Sequence, residues 1–292
     1  IRNIDISRSD LQTLANQDTY TQYESKTSIK TLAGTPIYYS SSAIPTAVTK
    51  VFTINYYDTY EDVPTDLIAP TTVLGQAVTL QTKSLPTVSK VRVLGTSSWI
   101  TNVTYYDAKA RPIYLYSKNP YLGTTDITKL QLDFTGKTLQ THTTHKKTGQ
   151  TDDIVTLDAY TYDHAGRLLT QTQNINNQAQ EMISNNHYDE LGQLVQKDIG
   201  NTESNPLQEV DYSYNIRGWL KKINNNDWGY LGEDLFALEL GYNDVGSRLY
   251  NGNISEMKWI TANDNARRKY RFYYDDLNRL RNSYYNEWSK NS

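Results

Sequence analysis

The residues able to do chemistry are few, and their spacing is unfavourable. Four histidines and no cysteine remove disulfides, thiolate metal sites and a cysteine nucleophile together. His142 and His145 stand three apart in a Thr-rich run that reads as a strand, where such a pair points to opposite faces and cannot share a metal ion. His164 falls in a turn, and His187 occupies a sheet-face position before Tyr188 and Asp189. Asp58, Glu61, Asp62 and Asp66 make an acidic group without the glycine and terminal glutamate spacing of a calcium loop. They read as a solvated loop ended by Pro64. Asp152 and Asp153 diverge if extended and cannot flank one glycosidic bond, so they read as turn residues after Gly149. Arg267, Arg268, Lys269 and Arg271 form the one basic cluster, beside Tyr270, Phe272 and Tyr273. A net charge of −3 gives no summed field for a phosphate backbone or anionic lipid, so nucleic acid is excluded as a partner. Trp99, Trp219, Trp228, Trp259 and Trp288 supply rings that stack on sugars in a binding protein and fill sheets in a structural one. Packing is the preferred reading for each. No G-x-S-x-G elbow, phosphate-cradling glycine loop or H-E-x-x-H helix occurs. No catalytic residue, cofactor site or metal site is therefore nominated.

The elements that would carry these side chains are strands. Of 292 residues, 25 are Tyr against 4 Phe, and the apolar set is only 37%. Any core must be built largely from amphipathic rings, which suit a pleated, half-buried face. No run approaches the roughly 18 apolar residues that cross a bilayer as a helix. Residues 1–10 lack the basic-then-apolar order of a signal peptide. With no initiator Met, the chain reads as a piece of a longer polypeptide whose export signal lies upstream.

One pattern recurs. Tyr160, Tyr162, Asp163, Gly166, Arg167 and Leu168 spell Y-x-Y-D-x-x-G-R-L. Tyr188, Asp189, Gly192 and Leu194 repeat it, as do Tyr212, Tyr214, Asn215, Gly218 and Leu220. Weaker copies are Tyr105, Tyr106, Asp107 and Ala110; Asp133 and Gly136; Tyr242, Asn243 and Gly246; and Tyr274, Asp275, Asn278 and Arg279. The Asp or Asn marks are 26, 30, 26, 26, 28 and 32 residues apart. A fixed period of this size signals a repeat architecture. The spacing of Tyr160 and Tyr162 puts both rings on one strand face, where they stack on neighbouring strands. Asp163 then opens a four-residue turn that Gly166 closes. Arg167 and Leu168 begin the return strand, with Leu168 on the sheet face and Arg167 solvated or reaching an acid. Ala110 is the poorest substitute for the glycine, and a different turn is expected there. Isolated hairpins are marginal, so such units must stack on their neighbours. The expected fold is all-β: stacked antiparallel β-hairpin repeats forming a curled or spiral sheet. The chain divides into upstream strands over 1–49, hairpins with an acidic loop over 50–104, the repeat array over 105–285, and a truncated continuation over 286–292.

With these residues in hand, the chain resembles the Rhs/YD-repeat family, in the form found in large exported proteins of Bacteroidetes-like bacteria. The resemblance covers residues 50–285 and rests on the stretches 91–112, 160–168 and 250–259. It implies a sheet that spirals into a hollow shell holding a C-terminal toxin. The family's D-P-x-G-x-x-D-G-x-N-like segment, associated with aspartyl self-cleavage in some members, does not occur here, nor does a variable toxin tail. The expected function is a non-catalytic wall segment of a secreted or cell-surface protein. Its partners are the rest of its own polypeptide and a C-terminal effector domain. The alternative is an adhesin module whose exposed rings bind cell-surface glycans.

Overall fold

The computed structural model describes residues 2–3, 6–17, 21, 23–46, 48–224, 231–243 and 249–288. In chain order the elements begin with β1 (Arg2–Asn3), α1 (Arg8–Ala15), β2 (Lys26–Leu32), β3 (Thr35–Tyr39), β4 (Lys50–Val51), β5 (Thr53–Asp58), β6 (Thr72–Val73), β7 (Gln76–Ala77) and β8 (Thr82–Arg92). They continue with β9 (Trp99–Tyr106), β10 (Pro112–Asn119), β11 (Thr124–Leu132), β12 (Thr138–Lys147), β13 (Ile154–Tyr162), β14 (Leu168–Ile175) and β15 (Glu181–Tyr188). The last are β16 (Leu194–Ile199), β17 (Gln208–Tyr214), β18 (Leu220–Ile223), β19 (Phe236–Gly241), β20 (Glu256–Thr261), β21 (Arg267–Tyr274) and β22 (Leu280–Trp288).

The expected hairpin array is present. β5 and then β8 to β22 form one 16-stranded antiparallel sheet in chain order, open, with β5 at one edge and β22 at the other. The pairs β1–β4, β2–β3 and β6–β7 stand apart from it. The helix α1 was not legible in the sequence; it is one short turn-rich segment capped by Ser7, whose hydroxyl accepts from the Asp10 N–H at 3.2 Å. None of its residues is buried.

Contacts divide the chain into two units, Ile1–Asp158 with Ile175–Gln178, and Ala159–Asn174 with Ala179–Ser292. The first unit has an apolar core that includes Tyr56, Val88, Val103, Tyr105, Ile113 and Tyr116. The segment between β5 and β8 is laid over the strands. Tyr60 stacks on Tyr105 at 4.3 Å and donates its hydroxyl to the Thr104 carbonyl at 3.0 Å. Gln76 clasps β11, donating to the Leu130 carbonyl and accepting from the Leu132 N–H, at 2.8 and 3.1 Å. Burial pushes the phenols of Tyr56, Tyr60 and Tyr105 above their ordinary range.

Among the described residues the second unit has fewer buried apolar side chains than the first and more buried polar ones. Leu231, Ala237 and Ile260 form a small cluster. Ser184, Asn185, Asn186 and Asp198 are buried on β15 and β16. Asp198 accepts from Asn185, His187 and Gln196 at 3.2, 2.8 and 2.9 Å, which satisfies it. Glu256 is likewise buried, held by Lys258, Lys269 and Arg271 at 3.2, 3.5 and 2.9 Å.

Candidate functional site

The repeated residues assemble into turns along one side of the sheet. At Asp107, Asp133, Asp163, Asp189, Asn215 and Asp275 the N–H of the marker donates to the carbonyl four residues on, while the residue three on donates back to the marker's carbonyl. That third residue has positive φ in all six: Ala110, Gly136, Gly166, Gly192, Gly218 and Asn278. A type I turn followed by a left-handed residue is a three-residue hairpin loop with a bulge. The strand register slips accordingly beside the turns at Asp107, Asp133, Asp189, Asn215 and Asp275. Ala110, at φ 61°, makes the same two backbone bonds as the glycines, so the different turn expected there does not occur. Its short side chain meets the left-handed strain and the surrounding hairpin overrides it.

The marker side chain completes each loop. Oδ1 accepts from the N–H four residues on at 2.8–3.0 Å in Asp107, Asp133, Asp163, Asp189, Asn215 and Asp275. Oδ2 is left for the side chain of that same residue. Arg111, Arg167 and Arg279 each donate Nε to it, at 2.7, 2.6 and 2.7 Å. Arg167 thus resolves to an acid, its own turn's Asp163. The bond from the Arg167 N–H, joined by its guanidinium, holds the Asp163 carboxyl below the usual range. Bonds from Thr135 do the same for Asp133, and those from Arg279 for Asp275. At Asp107 burial opposes the shift, but the bonds from Arg111 and Lys109 prevail.

Neighbouring turns are joined in two ways. At three turns the side chain four residues after the marker lies against the glycine of the next turn. A Cβ on Gly136 would stand 3.6 Å from Arg111, one on Gly192 2.6 Å from Arg167, and one on Gly218 3.1 Å from Gln193. Arg111 also donates to the Asp133 carbonyl at 2.8 Å, and Arg167 lies 4.6 Å over the Tyr188 ring. The second link is a tyrosine hydroxyl. Tyr106, Tyr188, Tyr214, Tyr242 and Tyr274 donate to the carbonyls of Pro86, Leu168, Leu194, Leu220 and Ile254, at 2.6–3.0 Å. Sequence reasoning gave these rings to stacking and missed the hydroxyl. Each tyrosine immediately precedes its marker, and its acceptor lies 20 or 22 residues earlier. The same rule identifies Tyr106 as the linking residue. Tyr105 faces the core, between Tyr60 and Tyr114.

The remaining expected residues fall as follows. Tyr160 and Tyr162 share the half-buried face of β13, and Tyr212 and Tyr214 that of β17. Asn243 is exposed and Gly246 lies outside the described residues, as does Trp228. Gly252 takes the bulge glycine's place, with Trp219 3.1 Å from its would-be Cβ and 5.1 Å from the Tyr242 ring.

The other candidate groups are held by protein partners. The acidic loop is exposed at Asp58 and Asp66 and is also pinned: Asp58 accepts from the Ser84 N–H at 2.6 Å, and Glu61, Asp62 and Asp66 pair with Lys26, Lys90 and Lys118 at 3.0, 2.5 and 2.7 Å. The basic cluster is also matched. Arg268 pairs with Asp264 and Glu287, while Lys269 and Arg271 hold Glu256. His145 bonds Asp126 at 2.6 Å, and Asp153 pairs with Lys146 at 2.8 Å. Among the described residues no group of three or more His, Asp or Glu is placed to hold a metal ion. Trp259, Tyr270, Phe272 and Tyr285 form an aromatic cluster with centroids 5.1–6.1 Å apart. Arg268 hydrogen-bonds the Tyr285 hydroxyl at its margin.

No sequence-family profile and no curated protein sequence matches the chain. In fold it is similar to a chain of the Photorhabdus luminescens Tc holotoxin pore carrying a mutated TccC3, with a TM-score of 0.50 at 14% identity. The match covers 72% of this chain and 11% of that one, so this chain spans a small part of the protein it resembles.

Proposed function

We propose that this chain is a non-catalytic wall segment of an RHS/YD-type β-shell, which encloses or presents a C-terminal effector of an exported bacterial protein. The observation that carries the reading is the 16-stranded open sheet with side chains of one turn set against the glycine of the next at Gly136, Gly192 and Gly218. The likeness to a chain of a toxin complex supports it at the level of fold. A wall works by exclusion. It needs a stiff sheet and side chains committed to one another, and the ionisable groups described above are spent in that way. No helix among the described residues is long and apolar enough to cross a membrane.

The test uses the parent polypeptide. Its downstream domain should resist added protease while the wall is intact and become cleavable when Asp163→Ala and Arg167→Ala loosen the turns. Cleavage as fast as that of the domain expressed alone would end the enclosure reading. The aromatic cluster around Trp259 favours one second reading, a glycan-binding surface. On a glycan array it requires binding that Trp259→Ala and Tyr285→Ala remove with the fold intact.

A further inference from the structure

Asn251 and Gly252 are the one Asn-Gly pair in the chain. Every other asparagine is followed by a residue with a side chain, which crowds the peptide nitrogen between them, whereas glycine leaves that nitrogen open. The turn has a use for both residues. Gly252 has φ 97°, and a Cβ on it would stand 3.1 Å from the Trp219 ring. The Asn251 amide works at both ends: its Oδ1 accepts from the Asn253 N–H at 3.1 Å, and its Nδ2 donates to Asn278 Oδ1 in the following turn. Asn253 reaches the same Asn278 oxygen at 3.4 Å. Neutral amides therefore join these two turns, where Arg111 reaches the turn after its own through the Asp133 carbonyl at 2.8 Å.

Asn251 is also reactive where it stands. It is exposed to water. Among the described residues nothing accepts from the Gly252 N–H, so that nitrogen is free to lose its proton to solvent. The Asn253 N–H points at the side-chain oxygen, where negative charge develops once the carbonyl carbon is attacked.

We infer that Asn251-Gly252 is a site of spontaneous covalent modification, at which the Asn251 amide is exchanged for a carboxylate through a cyclic imide. The Gly252 nitrogen gives its proton to water and attacks Asn251 Cγ. A C–N bond forms, the Cγ–Nδ2 bond breaks, and ammonia leaves with the proton returned. Water then opens the imide at either carbonyl. Opening at the side-chain carbonyl gives aspartate; opening at the main-chain carbonyl gives isoaspartate, whose chain runs on through Cγ. Nothing is oxidised or reduced, and water is the only co-reactant. Either product loses the Nδ2 donor and sets carboxylate oxygens against Asn278 Oδ1. Isoaspartate also lengthens the main chain by a methylene, which moves Gly252 away from Trp219. The junction with the Asp275 turn therefore weakens as the protein ages. This inference stands on the turn alone and does not depend on an enclosed effector.

The test holds the folded chain in mildly alkaline buffer made with heavy-oxygen water, then digests it for peptide mass spectrometry. Label should enter at Asn251, as a mixture of aspartate and isoaspartate. It should do so about tenfold faster than at Asn282, which is also exposed but is followed by Ser283. Asn251→Gln, whose amide lies one methylene further from the attacking nitrogen, should take up no label there. The aged chain should show about fivefold faster amide exchange in β20 and β21 than the fresh one, the loss of one net hydrogen bond. Equal rates at 251 and 282 would overturn the proposal, as would label that enters 251 only after urea unfolds the chain. Identical exchange in the fresh and aged chains would overturn the weakened junction.

Discussion

At the scale of single residues, the turn glycines separate two effects that are usually confounded. Gly149 and Gly192 have nearly the same dihedral, φ 86° and 83°, but a Cβ on Gly149 meets nothing within 4 Å while one on Gly192 meets Arg167 at 2.6 Å. Alanine at either position carries the left-handed strain of about 1–2 kcal/mol. At Gly192 it must also push the guanidinium off Asp163 and Tyr188. Gly192→Ala should therefore lower stability more than Gly149→Ala in urea denaturation, and the excess should vanish in an Arg167→Ala background. An excess that survives without Arg167 would show that the arginine does not occupy that space. Ala110 supports the first half of this reasoning, since a Cβ is already tolerated at φ 61° there.

At the scale of elements, the linking tyrosine makes a hairpin answer to its predecessor. Tyr214→Phe leaves the ring on the sheltered face of β17 and removes only the 2.9 Å bond to the Leu194 carbonyl. The expected cost is about 0.5–1.5 kcal/mol, read as faster amide exchange in β16, β17 and β18. Because each repeat leans only on its neighbours, exchange in β9 to β12 should be unchanged, and uniform acceleration would argue against a nearest-neighbour array. This element was half legible in the sequence. The turn was readable because Asp163 and Gly166 have one structural use at that spacing, and the strands because tyrosines alternate. The hydroxyl links, the glycine contacts and the role of Gly252 were not. They join residues about 20 to 33 apart on different hairpins, where local pattern carries no distance information. The ion pairs of the acidic loop were hidden for the same reason: its partners Lys26, Lys90 and Lys118 are distant in sequence.

At the scale of the whole molecule, the turn carboxylates make stability depend on acid. Asp107, Asp133, Asp163 and Asp275 all have carboxyls held below the usual range, and Asp264, bonded by Arg268, is pulled down to about 2. A carboxylate whose folded pKa is depressed binds fewer protons than its unfolded counterpart between the two values, so stability rises with pH across that interval. The contribution is complete above the unfolded value of about 3.9 and is lost as pH falls through the folded values. A smaller loss begins earlier. Burial, with Lys129 nearby, lowers the His142 pKa, so its neutral form is favoured on folding and stability starts to fall as pH drops below about 6.5. Urea midpoints measured from pH 7 to pH 3 should therefore decline gently at first and steeply below pH 4. Asp163→Asn isolates one turn. Asn215 shows that an amide oxygen takes the same N–H bonds, at 2.9 and 3.0 Å, so the variant should lose less than Asp163→Ala at pH 7. Its acid decline should be shallower than that of the unaltered chain, because one titrating group has gone. An unchanged slope would mean that Asp163 and Arg167 are as well solvated apart as together, and that backbone bonds alone hold the turn.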